Sequence, residues 1–142
     1  MRALILLAAH CSIPAAACPD LGGKFVDASG EFDVDFVFEQ RSCASATTRV
    51  IEAGEYETKV ERYFDGQLRV TWEQDGTVYK ESELWDGETM LTLEDYFWKY
   101  SNARMQIRGT YWLDEGRNLR VQKVVFEGGK ETSRYNFFYR RK

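Results

Sequence analysis

Histidine is all but missing from this chain: among 142 residues the single example is His10, inside a stretch read below as a removable leader. Its absence takes away the commonest general base, the histidine-dependent triads and the usual zinc ligand sets. Proline is nearly as scarce, with two in total and none after Pro19, so nothing interrupts backbone ladders downstream. No apolar run approaches the roughly 20 residues a bilayer-crossing helix needs. The glycines form no phosphate-binding loop, and once the leader is removed neither remaining cysteine has a histidine to activate it. No catalytic residue, metal ligand or cofactor site is therefore assigned. The paired carboxylates Glu81/Glu83 and Asp33/Asp35 have the residue types of glycoside hydrolysis. On alternating strands they read as solvated faces, and the expectation is a protein that is not an enzyme.

The N-terminus does carry a signal. Met1-Arg2 is a positive start, Ala3-Leu4-Ile5-Leu6-Leu7-Ala8-Ala9 an apolar core, and Ala15-Ala16-Ala17 a small-residue cleavage site, the order of an export signal over residues 1–17. The alternative is a buried N-terminal strand or helix. Export makes the protein periplasmic or secreted and places residues 18–142 in one domain. Of the three cysteines, Cys11 leaves with the leader, and Cys18 and Cys43 remain to pair in an oxidising compartment. Closing that loop should add about 3 kcal/mol. Ala15-Ala16-Ala17-Cys18 also resembles a bacterial lipobox, with Ala15 where Leu is usual. On that alternative Cys18 carries a lipid anchor and Cys43 stays a lone thiol.

Downstream of Asp20, turn signals recur at Ser29-Gly30, Ala53-Gly54, Asp65-Gly66, Asp75-Gly76, Asp86-Gly87, Glu115-Gly116 and Gly128-Gly129. Asp-Gly suits tight hairpins, whose central residues need positive φ. The segments between are short, rich in Val, Thr, Tyr, Phe and Trp, and alternate apolar with polar residues. Leu68, Val70 and Trp72 against Arg69, Thr71 and Glu73 is one example. Strands are predicted near 23–28, 33–41, 46–52, 55–64, 67–74, 77–85, 88–97, 103–113, 118–127 and 130–140. Residues 94–102 read as strand, bend or one helical turn. The fold class is all-β: an antiparallel up-and-down meander of about 8–10 strands, closed as a barrel, with a two-sheet sandwich as the alternative. Closure would remove exposed edges.

The opening Cys18-Pro19-Asp20-Leu21-Gly22-Gly23-Lys24-Phe25, the hairpin meander and the terminal Tyr139-Arg140-Arg141 resemble the calycin group of lipocalins, fatty-acid-binding proteins and avidin-like barrels. Lipocalins begin with Gly-x-Trp, its ring packed across the barrel floor near a late arginine. Gly23-Lys24-Phe25 stands in that place, with Phe for Trp, and Arg140 as the late arginine. The Arg-x-Tyr with which fatty-acid-binding barrels hold a carboxylate is absent, so that family's ligand residues do not carry over. The resemblance implies a barrel that holds a small apolar molecule.

Aromatic residues number 21, with 4 Trp. Most read as a core built from large rings; some should line a ligand cavity at the barrel mouth. Trp98, Trp112 and Tyr139 are expected to ring it, with Tyr100 on an exposed strip and Tyr135 on the same strand face as Tyr139. Charge is asymmetric: residues 18–98 hold 7 basic and 19 acidic side chains, residues 99–142 hold 11 and 4. Acidic early strands facing basic late ones across the closure would give ion pairs of a few tenths of a kcal/mol each. The alternative is a basic patch for an anion or an acidic partner. Export and the negative total charge argue against nucleic acid. On β-alternation Arg62 shares a face with Tyr56 and Val60. It then pairs with an internal carboxylate such as Glu81 or Glu83, binds a ligand's acid group, or, as preferred here, sits at the rim. The functional expectation is an exported binding protein holding a small apolar or amphipathic molecule, anionic ligands included, with no transmembrane segment. The alternative is an interaction module or inhibitor with a packed core, meeting a protein partner through a basic-aromatic outer surface.

Overall fold

The computed structural model describes residues 18–30 and 33–142. The leader assigned to residues 1–17, His10 and Cys11 included, lies outside them. Ten strands follow one another: β1 (Gly23–Asp27), β2 (Val34–Gln40), β3 (Ser45–Glu52), β4 (Tyr56–Tyr63), β5 (Arg69–Gln74), β6 (Thr77–Asp86), β7 (Thr89–Trp98), β8 (Ala103–Leu113), β9 (Leu119–Glu127) and β10 (Lys130–Arg141). Every predicted strand is present with its ends within two residues. The ambiguous stretch divides cleanly: β7 continues to Trp98, and the chain turns over the next four residues. Asn102 takes a positive φ of 54°, and the Lys99 amide donates to the Gly76 carbonyl at 2.8 Å.

All ten strands form one antiparallel sheet in the order β4-β3-β2-β1-β10-β9-β8-β7-β6-β5. It curls into a half-barrel. The first and last strands pair, Phe25 opposite Arg141 and Asp27 opposite Tyr139, so the opening lies in mid-chain, between β4 and β5. The expected ladder is complete everywhere else. Asp65-Gly66 was read as a hairpin signal, but it does not join β4 to β5 as a hairpin. Asp65 accepts the Gln67 amide at 3.0 Å, the Gly66 amide donates to the Glu83 carbonyl at 2.8 Å, and Asp65 bridges to Leu84. The turn is thereby pinned to β6. A register shift between Val70 and Trp72 then bends β5 away, as bulges do.

One end of the barrel is packed. Leu21, Phe25, Phe38, Met90, Leu119, Val121 and Tyr139 form the buried core, with Phe36, Trp85, Leu113 and Phe137 against it. Phe25 is fully buried and meets Phe38 edge-on at 6.0 Å; burying a ring of this size contributes about 1.5–3 kcal/mol. The arginine beside it is Arg141, not Arg140. Its guanidinium sits 5.6 Å from the Phe25 ring centre and donates to the Gly22 carbonyl. Arg140 falls on the outward parity of β10 and is exposed. Gly23 allows this contact, having a φ of 141° and no Cβ, which would lie 3.1 Å from the guanidinium. Cys18 and Cys43 form a disulfide that straps the N-terminus over this end. Beside it, Gln40 accepts the Leu21 amide at 2.9 Å and donates to the Pro19 carbonyl at 3.1 Å, and the Trp85 indole donates to the Cys43 carbonyl at 3.1 Å.

Candidate functional site

Above the packed end the half-barrel encloses a cavity of about 460 Å³, within the range of small-molecule sites. Its walls differ. Phe36, Val50 and Val60 of β2–β4 and Val121, Phe137 and Tyr139 of β9–β10 are its apolar and aromatic part. Glu52, Arg62, Glu81, Glu83, Glu94 and Lys123 are its charged part.

Strand parity explains the charged wall. Tyr79, Glu81, Glu83 and Trp85 share one face of β6, and that face turns inward. Tyr79 lies opposite Tyr96, and Glu81 opposite Glu94. Two carboxylates directly across a ladder repel, so each needs its own partner. Glu94 takes a proton donor from two strands away: Lys123 Nζ of β9 reaches it at 2.7 Å. It crosses β8 at Gly109, the residue paired with both Lys123 and Thr92. A Cβ there would lie 2.3 Å from Thr92 Oγ1 and 2.8 Å from the Tyr111 ring, so this mid-strand glycine makes the crossing possible. Glu81 accepts from the Tyr79 hydroxyl and from Thr71 Oγ1 at 3.3 Å.

Arg62 reaches in from the open edge. Its guanidinium pairs with Glu83 at 2.5 Å and donates from Nε to Thr48 Oγ1 at 2.8 Å. The side chains are 16 % and 8 % exposed. The pair therefore joins β4 to β6 across the gap that no backbone ladder closes. Arg62 is inside, not at the rim, because β4 turns its Val60/Arg62 face toward β6. Burial pushes the Glu83 carboxyl up, with Arg62 pulling against it. For Arg62, burial works against the charged form, and Glu83, with Tyr111 and Glu81, together outweighs it and holds the guanidinium charged. Lys123 is likewise raised, burial being outweighed by Tyr111 and Glu94. Burial also raises the phenols: Tyr79, helped by its bond to Glu81, Tyr96, helped by Glu94, and Tyr139, pushed up to about 12 with help from Tyr111 and Asp27. Thr92 Oγ1 is buried without a hydrogen-bond partner.

Of the residues singled out from sequence, Arg62 and Tyr139 line the cavity. Trp98 stacks on Tyr96 at 6.1 Å, and Tyr96 lies against Tyr79 at 4.5 Å, a ladder running to the open end. Tyr135 extends a second ladder, 6.4 Å from Phe137, and is half exposed. Two residues stand elsewhere. Tyr100 occupies the β7–β8 turn, 90 % exposed, its ring over Gly76. Trp112 faces outward opposite Arg120, because β8 parity gives the inward place to Tyr111. Glu81 and Glu83, read as a solvated face, are the inward face. Asp35 does face out and pairs with Lys24 at 2.7 Å. Glu94, Lys123 and Gly109 carried no signal as a site, since their association depends on register across three strands. Among the described residues no three of His, Cys, Asp and Glu converge as a metal site.

The charge asymmetry is resolved locally rather than across the β1–β10 seam. Lys99–Glu73, Arg104–Asp95 and Lys123–Glu94 join the two halves of the chain, but from β5, β7, β8, β9 and the β7–β8 turn. On the outer face Arg120 lies 3.7 Å over the Phe138 ring centre and Arg108 4.5 Å over that of Phe126.

No family model matches the chain, and no curated protein matches it in sequence. In three dimensions it is similar to the crystal structure of secretory abundant heat soluble protein 4 from Ramazzottius varieornatus. The TM-score is 0.54 at 14 % sequence identity, over 86 % of this chain and 94 % of that one. The likeness is one of fold: a curled β-barrel-type sheet. Among the described residues no helix is long and apolar enough to cross a membrane.

Proposed function

We propose that this is a non-catalytic exported protein that holds one small amphipathic molecule inside its half-barrel. The observation that carries the reading is the cavity of about 460 Å³, whose lining combines aromatic and aliphatic side chains with charged groups. An amphipathic guest satisfies both, its apolar body against Phe36, Phe137 and Tyr139 and its polar end toward Arg62, Glu81 and Glu94. Arg62 and Tyr139 are the sequence-predicted residues that touch the guest directly; Trp98 and Tyr135 guard the way in. The calycin resemblance supports the same use of the barrel. Export is supported by the Cys18–Cys43 bridge, which suits an oxidising compartment, and by the word secretory in the name of the structurally similar protein.

The test is binding of a neutral solvatochromic amphiphile, Nile red, by the wild type and by Val60→Trp, which fills the cavity from β4. Wild-type protein should shift the dye emission to the blue at one equivalent, and the folded variant should not. A shift that survives in Val60→Trp places the dye on the outer surface and refutes the cavity reading.

A further inference from the structure

The cavity has an uneven charge inventory. Its lining carries four carboxylates, from Glu52, Glu81, Glu83 and Glu94, and two bases, Arg62 and Lys123. Both bases are committed: Arg62 to Glu83 and Lys123 to Glu94. Among the described residues Glu81 has no ion pair: its oxygens accept from the hydroxyls of Tyr79 and Thr71, and it feels Arg62 only at a distance, beyond that residue's own bond to Glu83. Arg69 stands opposite Glu81 in register, but its guanidinium forks onto Asp65, with Nη1 at 2.8 Å and Nη2 at 2.5 Å from the two carboxylate oxygens.

The rings beside Glu81 have the matching character. Tyr79 sits between Trp72 at 5.7 Å and Tyr96 at 4.5 Å. Of these three rings Tyr79 borders the cavity, and electron-rich aromatic rings attract a nearby cation. Thr92 Oγ1, buried and unpartnered, adds an acceptor in the same cavity. A guest anion entering here meets surplus carboxylates and no uncommitted base. A neutral guest leaves Glu81 without an ion-pair partner of its own, whereas a cation supplies one.

We infer that the cavity selects an organic cation, an amphiphile whose head is a protonated amine or a quaternary ammonium seated at Glu81 beside the Tyr79 ring. The inference rests on the cavity-binding reading above and adds the ligand's charge.

The experiment is calorimetric titration of the full exported chain with three ligands of equal chain length: decylammonium, decanol and decanoate. Decylammonium should bind about tenfold more tightly than decanol, a difference of about 1.4 kcal/mol, and decanoate more weakly than decanol. Glu81→Gln should bring the ammonium down to the level of decanol and leave decanol unchanged. Equal binding of all three, or a preference for decanoate, overturns the cation inference and leaves the cavity reading standing. If none binds, both readings fail. A preference that survives in Glu81→Gln removes Glu81 from the site. The three-ligand comparison uses wild-type protein alone, so it decides the ligand's charge even if the variant does not fold.

Discussion

Replacing Arg62 with methionine takes away the cation hydrogen-bonded to Glu83 and leaves a carboxylate whose side chain is 8 % exposed. Methionine keeps most of the length and the apolar stem, so the principal change is the lost charge. Breaking one side of a buried ion pair typically costs about 3–5 kcal/mol, because the remaining charge has neither water nor partner. The Arg62 side chain is 16 % exposed and water reaches the pair from the gap between β4 and β5, so a loss of about 3 kcal/mol is expected at neutral pH. The sign of its pH dependence follows. Burial already raises Glu83, and without Arg62 only the weaker pull of Arg69 opposes it. A carboxyl whose folded pKa lies above its unfolded value, about 4.3 for glutamate, stabilises the fold fully below that value and loses the contribution as pH rises. The deficit in Arg62→Met should therefore shrink as pH falls toward 4.3. Adding Glu83→Met should recover most of it, since replacing both members of a buried pair with apolar groups is often close to neutral. Urea unfolding followed by tryptophan fluorescence, across a pH series, measures all three. A single variant within about 0.5 kcal/mol of wild type, or a double variant losing more than the single, would refute the reasoning.

Three further outcomes follow from the same structure. Replacing both Cys18 and Cys43 with serine should cost about 3 kcal/mol for a bridge spanning a sequence separation of 25, read as a lower urea midpoint with a somewhat steeper slope, because the freed unfolded chain exposes more surface. Tyr139 titrates at about 12 in the fold against about 10 unfolded, and Tyr79 and Tyr96 move the same way. The unfolded chain then loses its phenolic protons first, so stability should fall progressively above pH 10, with phenolate absorbance lagging behind that of a denatured control. Arg104 and Gln106 hold the Asp95 carboxyl below its usual range. The buried Asp95 should therefore stabilise the fold above about pH 4 and lose that contribution as pH falls through its folded value. Arg104→Met should cost about 2 kcal/mol at neutral pH and flatten that acid limb in a thermal-melt series.

The strands were readable because period-two alternation and turn residues are local signals. Leu68, Val70 and Trp72 or Met105, Ile107 and Tyr111 announce strands without reference to any neighbour. The meander was readable for the same reason, except at Asp65-Gly66, where a hairpin signal is overridden by bonds to the distant Glu83 and Leu84. Which face turns inward was harder. On β6 both faces mix apolar and polar groups, Val78, Lys80, Ser82 and Leu84 against Tyr79, Glu81, Glu83 and Trp85, so hydrophobicity does not choose between them. The Arg62–Glu83 pair was among the options that alternation left open, but placing it required the approach of β4 to β6. Trp112 shows the same ambiguity from the other side, since adjacent aromatics Tyr111 and Trp112 must face opposite ways. The Lys123–Glu94 contact over Gly109 depends on register across three strands and has no local signature at all.

The central claim, a guest held inside the half-barrel, is tested most directly by intact-mass measurement of protein purified gently from its exported compartment, first native and then denatured. The account predicts a native mass exceeding the chain by a few hundred daltons, on the order of a ligand that fits such a cavity, with the excess lost on denaturation. A native mass equal to that of the bare chain, in protein that also fails to take up decylammonium, decanol or decanoate, would contradict it.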